Sequence, residues 1–203
     1  MIHLDFGAGE IMADLVGQFT QFSNNTTIIG IDRREPHKDP VFFHIMEEHY
    51  DRVGNGWVVK EDNKPPFRFY DMYIIDDIRS PDFNIPKVRS WQSLSTFEHI
   101  PEEDVEECIQ ALVDKLSWDS VGKIRIDLTD HRYYPSDENS FLHYEDETFA
   151  RLIRDDFTGL FLNRIKRKEW KLLLDKWFAY ETAPDDSRYT VSLKNVTLKR
   201  DAK

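Results

Sequence analysis

Short runs typical of strands alternate along the chain with segments that have a helical repeat. Residues 2–5 and 27–31 have the length and composition of buried strands. Between them, the apolar residues of 11–19 recur every three or four positions, which indicates one face of a helix. The order of strand, glycine turn, helix and strand predicts two parallel strands joined by a right-handed crossover.

The same alternation continues towards the C-terminus. Five more strands are predicted, at residues 67–75, 88–94, 123–128, 178–182 and 189–193. The clearest amphipathic helix follows Pro101, with apolar residues at positions 105, 108, 109, 112, 113 and 116. Alternating strands and helices predict an α/β fold with a doubly wound sheet, whose ligand lies beyond the carboxyl ends of the strands.

One domain is expected to span residues 1–203. A variable excursion is expected at about 41–66, where the Gly54-Asn55-Gly56 turn suggests a hairpin. Gly122 is expected to break the chain before the strand at 123–128. A polar, aromatic loop at about 131–144 is expected to lie on the substrate side of the sheet.

Composition and charge exclude several classes of protein. The formal net charge of −11 disfavours nucleic-acid binding, which needs clustered Lys and Arg. The single cysteine, Cys108, allows no intramolecular disulfide and no cysteine-rich zinc site, and its spacing places it on the apolar face of a helix. No apolar run has transmembrane length, and the N-terminus does not resemble a signal peptide. A cytoplasmic protein without membrane insertion is therefore expected.

Candidate chemistry begins at the turn Gly7-Ala8-Gly9, directly after the first strand. The two glycines allow the backbone to approach a ligand closely, although a tight strand-to-helix turn needs them equally. Asp32 ends the second strand, where a carboxylate can accept both hydroxyls of a nucleoside ribose. An ordinary turn residue at the end of a strand is the alternative interpretation of Asp32.

Two further acids, Asp76 and Asp77, end the third strand of the alternating pattern. The carboxylate of Asp77 is placed to accept the amino group of adenine, with the backbone N–H of Ile78 close to a ring nitrogen. Asp76 competes with Asp77 for this role, and a surface turn would explain both acids without a ligand.

These segments resemble, in order and spacing, the motifs of class I S-adenosylmethionine-dependent methyltransferases of the small "methyltransferase domain" type. The matching residues are Leu4 to Glu10, Ile29 to Asp32, Asp77, Ser95 to Ile100, and Ile126 to His131. The resemblance covers nearly the whole chain. It implies S-adenosyl-L-methionine as cofactor and a small-molecule methyl acceptor, with sugars and lipid-linked intermediates among the options.

The resemblance also implies a Rossmann-like, mostly parallel sheet of seven strands, with an antiparallel last strand and helices on both faces. It places Asp5, Gly7 and Gly9 beside the methionine part of the cofactor, Asp32 on the ribose, and Asp77 with Ile78 at the adenine. The residues implied to line the sulfonium pocket are Ser93 and Leu94.

Two positions depart from the family pattern, and two other functions stay open. Ile11 stands where the third glycine of the first loop is expected, and Arg89 stands where the fourth strand usually has an acid. A non-catalytic module with the methyltransferase fold is one alternative. An NAD-dependent oxidoreductase is another, although Met12 occupies the third glycine position of G-x-G-x-x-G.

Methyl transfer from a sulfonium is an in-line displacement, so a base is needed only if the acceptor loses a proton. His131 is the preferred base, because imidazole titrates near neutrality, and Asp127 or Asp130 is placed to orient it. His99 is a further candidate, although Glu98 and His99 would also suit a helix cap. Asp-x-x-Asp-His has no diagnostic metal spacing, so no metal is expected. Asn163 suits acceptor recognition and a structural role equally.

Overall fold

The computed structural model describes residues 1–8, 23–33, 46–64, 70–129, 145, 147–148, 163–187 and 189–199. The chain forms two compact units. The first unit comprises Met1–Ser93 and Asp114–Val121, and the second comprises Leu94–Val113 and Gly122–Lys203. A single domain stays a prediction.

The nine strands and two α-helices named here lie within the described residues. The strands are β1 Ile2–Phe6, β2 Thr27–Asp32, β3 Tyr50–Val53, β4 Gly56–Val59, β5 Met72–Ile75, β6 Val88–Leu94, β7 Leu116–Asp127, β8 Phe178–Thr182 and β9 Thr190–Leu198. The helices are α1 Glu102–Lys115 and α2 Arg167–Leu174, and a 3₁₀ turn spans Phe97–His99.

In the first unit, hydrogen-bonded strands follow the order β3-β4-β5-β2-β1-β6, and the first half of β7 is next to β6. β1 pairs in parallel with both β2 and β6, and β2 pairs in parallel with β5. The register places Asp5 opposite Gly30 on one side and Gln92 on the other. The predicted parallel pair at residues 2–5 and 27–31 is confirmed, and the carboxyl ends of four strands share one edge.

The hairpin expected in the excursion is present as β3 and β4, which pair antiparallel and add to the sheet beside β5. Gly54 in its turn has φ +58°, a conformation that favours glycine. These two strands raise the number of strands to nine, where the resemblance implied seven. Because they pair antiparallel beside parallel strands, the sheet is mixed. Helices on both faces stay a prediction.

One buried cluster in the first unit is rich in tyrosine. Its buried members are Ala8, Ile28, Met46, Tyr50, Tyr70 and Tyr73. The rings of Tyr70 and Tyr73 meet edge to face, with centroids 5.9 Å apart. Such a geometry stabilises aromatic pairs beyond the burial of their area.

In the second unit, hydrogen-bonded strands follow the order β7-β9-β8, with both pairings antiparallel. The predicted break at Gly122 is wrong, because β7 continues through this residue with a shift in register between Gly122 and Ile124. A glycine inside a strand often marks such an irregularity instead of an end. β9 also extends to Leu198, beyond the predicted 189–193.

Helix α1 carries the apolar face predicted for it. Its buried residues are Val105, Cys108, Ile109, Leu112 and Val113, so Cys108 is a core residue as expected. Helix α2 buries Trp170, whose ring lies 6.1 Å from that of Phe97. Neither of these nor any other helix in the described ranges has the length and apolar composition needed to cross a membrane.

Candidate functional site

The turn after β1 is tied to the end of β2 by two hydrogen bonds. Gly7 has φ +74°, and its amide donates to the carbonyl of Ile31 at 2.9 Å. The amide of Ala8 donates to the same carbonyl at 3.1 Å. Because Ile31 precedes Asp32, these bonds hold the glycine turn beside the end of β2. Gly9, the last residue of the predicted turn, lies outside the described residues.

Asp5 is buried in the sheet just before this turn, with 1% of its surface exposed. The hydroxyl of Tyr70 donates to its Oδ2. Burial raises the pKa of Asp5 to about 6. The Tyr70 and Gln92 side chains act against this rise, and the charge of Asp32 adds to it. The predicted contact of Asp5 with the methionine part of a cofactor stays a prediction.

The ends of β2 and β5 are joined by a hydrogen bond of 2.9 Å, from the amide of Asp76 to the carbonyl of Asp32. The Asp76 carboxylate accepts from the amide of Asp77 at 2.8 Å and from the side chain of Asn55 at 3.3 Å. The structure therefore brings the two predicted acidic positions, 32 and 76–77, to one edge of the first unit.

The Asp77 carboxylate is already engaged by a neighbouring arginine. Arg79 donates from Nε to Oδ1 at 3.0 Å, from Nη2 to Oδ2 at 2.8 Å, and from its amide to Oδ1 at 2.9 Å. These bonds to Arg79 lower the pKa of Asp77, and Arg33 adds an ion pair at 3.5 Å. This fork occupies part of the Asp77 carboxylate, and the choice between Asp76 and Asp77 as the adenine residue stays a prediction. Sequence reasoning missed Arg79, although an Asp two residues before an Arg suits a local Asx turn.

Two other predicted cofactor residues of the first unit are buried. Ile78 is 2% exposed. Ser93 is fully buried near the end of β6, and its hydroxyl has no hydrogen-bond partner among the described residues. A buried polar atom of this kind is rare without a partner, so a ligand is one way to satisfy it.

A concave region of about 190 Å³ also lies in the first unit, between β4, β5 and residues 82–84. Asn55, Trp57, Asp76 and Phe83 are among its lining residues. Of the predicted site residues that the structure describes, Asp76 alone is among those that line it.

The predicted catalytic residues that are described belong to the second unit. Glu98 is 2% exposed, and its Oε1 accepts from the amide of Asp127 at 2.9 Å. Asp127 accepts from both the amide and the hydroxyl of Thr129, at 2.9 and 2.7 Å. Glu98 therefore binds the end of β7 and not the start of a helix. His99 is half-buried in the 3₁₀ turn, and His131 and Asp130 lie outside the described residues.

Burial raises the pKa of Glu98 to about 8. Backbone hydrogen bonds act against this rise, the charge of Asp127 adds to it, and the charge of Arg125 lowers it. Its Oε2 is buried and has no hydrogen-bond partner among the described residues. Burial therefore favours the neutral form of the Glu98 carboxyl, a property that sequence reasoning missed.

Asn163 has a structural role in the second unit. Its side-chain amide donates to the carbonyls of Phe97 and Ile100 at 2.8 and 2.9 Å. Its backbone amide donates to the carbonyl of Glu98 at 2.7 Å. With both donors used inside the protein, Asn163 fixes the turn at 97–100.

Leu94, the last residue of β6, is half-buried. The next residue, Ser95, has φ +54°, which is unusual for a residue other than glycine.

The described residues include no group of three His, Cys, Asp or Glu side chains that could hold a metal ion. The arrangement best suited to a ligand is the Gly7–Ala8 turn beside Asp32, at the carboxyl edge of the first unit's parallel strands.

No protein-family model matches the sequence, and a search of the curated proteins also finds no match. Solved structures do resemble the fold. The CurJ carbon methyltransferase has 13% sequence identity and a TM-score of 0.59, with 98% of this chain and 49% of that chain covered. The PH0226 protein from Pyrococcus horikoshii OT3 has 12% identity and a TM-score of 0.56, with 98% and 83% covered. LepI in complex with SAM has 12% identity and a TM-score of 0.53, with 98% and 43% covered.

The chain spans less than half the length of the CurJ and LepI chains that it resembles. At this low identity the comparison shows the fold alone. The fold resembles that of the CurJ carbon methyltransferase, which agrees with the fold that the sequence resemblance implied.

Proposed function

We propose that the chain is an S-adenosylmethionine-dependent methyltransferase that acts on a small-molecule acceptor. The observation that carries the proposal is the pair of hydrogen bonds from Gly7 and Ala8 to the carbonyl of Ile31. They hold a backbone turn with φ +74° beside Asp32, at the edge of a parallel sheet where nucleoside ligands bind. The fold shared with methyltransferases supports the same assignment.

The candidate residues suit successive parts of the cofactor. The turn at Gly7 and Ala8, extended to Gly9, suits the methionine part, and Asp32 suits the ribose hydroxyls. The amide of Ile78 and the carboxylate of Asp76, or of Asp77, suit the adenine. The Ser93 hydroxyl, which has no hydrogen-bond partner within the described part of the chain, suits the region around the sulfonium together with Leu94.

S-adenosylmethionine supplies an electrophilic methyl group when bound. The chain itself has to orient the acceptor in line with that group and exclude water. His131 is our candidate for a base that takes a proton from the acceptor, with His99 as a second candidate. Asp127 or Asp130 would orient the His131 imidazole, and Oδ1 of Asp127 also accepts from Thr129.

The finer features of the proposal are a core of seven strands, to which the β3–β4 hairpin is an addition, and helices on both faces. A cytoplasmic location fits a chain whose single cysteine is free and buried. A sugar, a lipid-linked intermediate and other small metabolites are all suitable acceptors.

Calorimetric titration with S-adenosylhomocysteine and, separately, with NADH tests the proposal. We expect micromolar binding of S-adenosylhomocysteine, weakened at least tenfold in Asp32→Ala, which is about 1.4 kcal/mol. The matched control is Asp51→Ala, which removes an exposed carboxylate from β3 of the same sheet and should bind as the wild type does. Binding of NADH alone would favour the oxidoreductase, and equal affinities of Asp32→Ala and wild type would remove Asp32 from the site.

A further inference from the structure

Gly30 leaves a gap in the centre of the first unit's sheet, and an aromatic ring fills it. A Cβ at Gly30 would lie 2.9 and 3.0 Å from two carbons of the Tyr70 ring and 3.1 Å from the Tyr73 ring. These distances are too short for a side chain, so glycine is needed here. Gly30 stands opposite Asp5 on β1 and Tyr73 on β5. The ring of Tyr70 therefore crosses β2 at the one residue that has no side chain.

This crossing lets the Tyr70 hydroxyl reach the carboxylate of Asp5, 65 residues away in the sequence. Tyr70 is 1% exposed, its ring packs edge to face on Tyr73, and its carbonyl accepts from the hydroxyl of Tyr50. Burial and the Asp5 carboxylate raise the pKa of Tyr70 well above its usual value, so the hydroxyl stays a donor. The position of the Tyr70 hydroxyl against Asp5 is therefore fixed by the gap at Gly30, by the Tyr73 ring and by the hydrogen bond from Tyr50.

The other groups around Asp5 show why the Tyr70 hydroxyl matters for the ionised state of this carboxylate. Asp32 on β2 repels the carboxylate, while Gln92 on β6 and Tyr70 act as hydrogen-bonding partners. His3 lies two residues earlier on the same face of β1, and its Nδ1 is 2.9 Å from the hydroxyl of Ser90. Among the described residues, the groups that shift the pKa of Asp5 are Tyr70, Gln92 and Asp32, and none of them is a cation. Within this part of the chain, the hydrogen bonds that favour the ionised carboxylate therefore come from neutral side chains.

We infer that Tyr70 is a positioning residue for the cofactor edge, which keeps Asp5 ionised two residues before the Gly7 turn, and that protonation of Asp5 weakens cofactor binding. The inference rests on the proposed function, because the carboxylate would act on the ammonium group of the cofactor's methionine part. A carboxylate that takes up a proton loses this attraction. Affinity should then fall as the pH drops through the pKa of Asp5.

Tyr70→Phe tests the positioning role without any ligand. It keeps the ring that fills the gap at Gly30 and removes only the donor to Asp5. Carbon-13 NMR of the Asp5 carboxyl group should show titration near pH 6 in the wild type and at a higher pH in Tyr70→Phe. Tyr50→Phe is the matched control, since it removes a buried hydroxyl that donates to a backbone carbonyl. Its Asp5 titration should move less than that of Tyr70→Phe, and equal titration in Tyr70→Phe and wild type would overturn the inference.

Calorimetry with S-adenosylhomocysteine between pH 5 and pH 8.5 tests whether protonation of Asp5 weakens cofactor binding. Wild-type affinity should fall about tenfold between pH 8 and pH 5, and the fall should begin at higher pH in Tyr70→Phe. Asp5→Asn cannot ionise, so its affinity should not follow this titration, and this variant decides the question if Tyr70→Phe does not fold. Wild-type affinity that is constant over this range overturns the pH dependence alone. Absence of S-adenosylhomocysteine binding at every pH overturns the proposed function, while the ligand-free titration still decides the role of Tyr70.

Discussion

Replacing Glu98 by glutamine should make the protein more stable, by an amount that grows with pH. Glu98 is buried, with Oε1 bound to the amide of Asp127 and Oε2 unpartnered among the described residues. Glutamine has nearly the same size and keeps an oxygen that accepts from Asp127. The substitution therefore removes the ionisation of Glu98 while it leaves the observed hydrogen bond in place.

The magnitude follows from the two pKa values of Glu98. Its ordinary value is 4.5, and burial raises it to about 8 in the folded protein. Between these values the folded state holds a proton that the unfolded state has released, so wild-type stability falls as the pH rises. The slope is at most about 1.4 kcal/mol per pH unit, or about 4 kcal/mol between pH 5 and pH 8. The free energy of unfolding of Glu98→Gln, minus that of wild type, should rise with pH over this window and level off above it.

Urea unfolding followed by tryptophan fluorescence at pH 5, 6, 7 and 8 measures this difference. Glu103→Gln is the control, because Glu103 lies exposed on α1 and the same chemical change occurs there in solvent. Its difference from wild type should stay nearly constant over the four pH values. A difference for Glu98→Gln that is flat, or that falls as the pH rises, would refute the account of Glu98 as a buried neutral acid.

Two further substitutions test the packing of each unit, and urea midpoints measure both. Gly30→Ala should destabilise the first unit by about 1–3 kcal/mol, because the new methyl group would push against the Tyr70 ring, and an unchanged midpoint would contradict the close approach. Asn163→Ala should cost about 2 kcal/mol or more, because two carbonyls of the turn at 97–100 lose their donor. Asn163→Asp should not restore stability at pH 7, since a carboxylate cannot donate, and recovery in this variant would show that the donors are unimportant.

The strands of the parallel sheet could be predicted because their signals are local. The runs at residues 2–5 and 27–31, with glycines between them, fix the direction of the chain and the position of Asp32 at a strand end. The hairpin was suggested by the turn at Gly54. The start of β7 at Leu116 was missed, because helix α1 passes directly into the strand with no glycine or proline between them.

The site was predictable as a set of positions but not as a set of contacts. The order of motifs places Asp32 and Asp77 at strand ends, yet the fork from Arg79 depends on the local turn. The raised pKa of Glu98 depends on burial by residues distant in the sequence. The Tyr70–Asp5 bond depends on strand register and on the gap at Gly30, neither of which a linear pattern contains.

The most direct test of the central claim is a map of backbone amide NMR shifts on addition of S-adenosylhomocysteine. We expect the largest changes at residues 7–8, 31–33 and 76–78, where the turn and the strand ends meet. Changes confined to the cavity at Asn55, Trp57 and Phe83, or an unchanged spectrum at saturating ligand, would contradict a cofactor site at the Gly7–Asp32 edge.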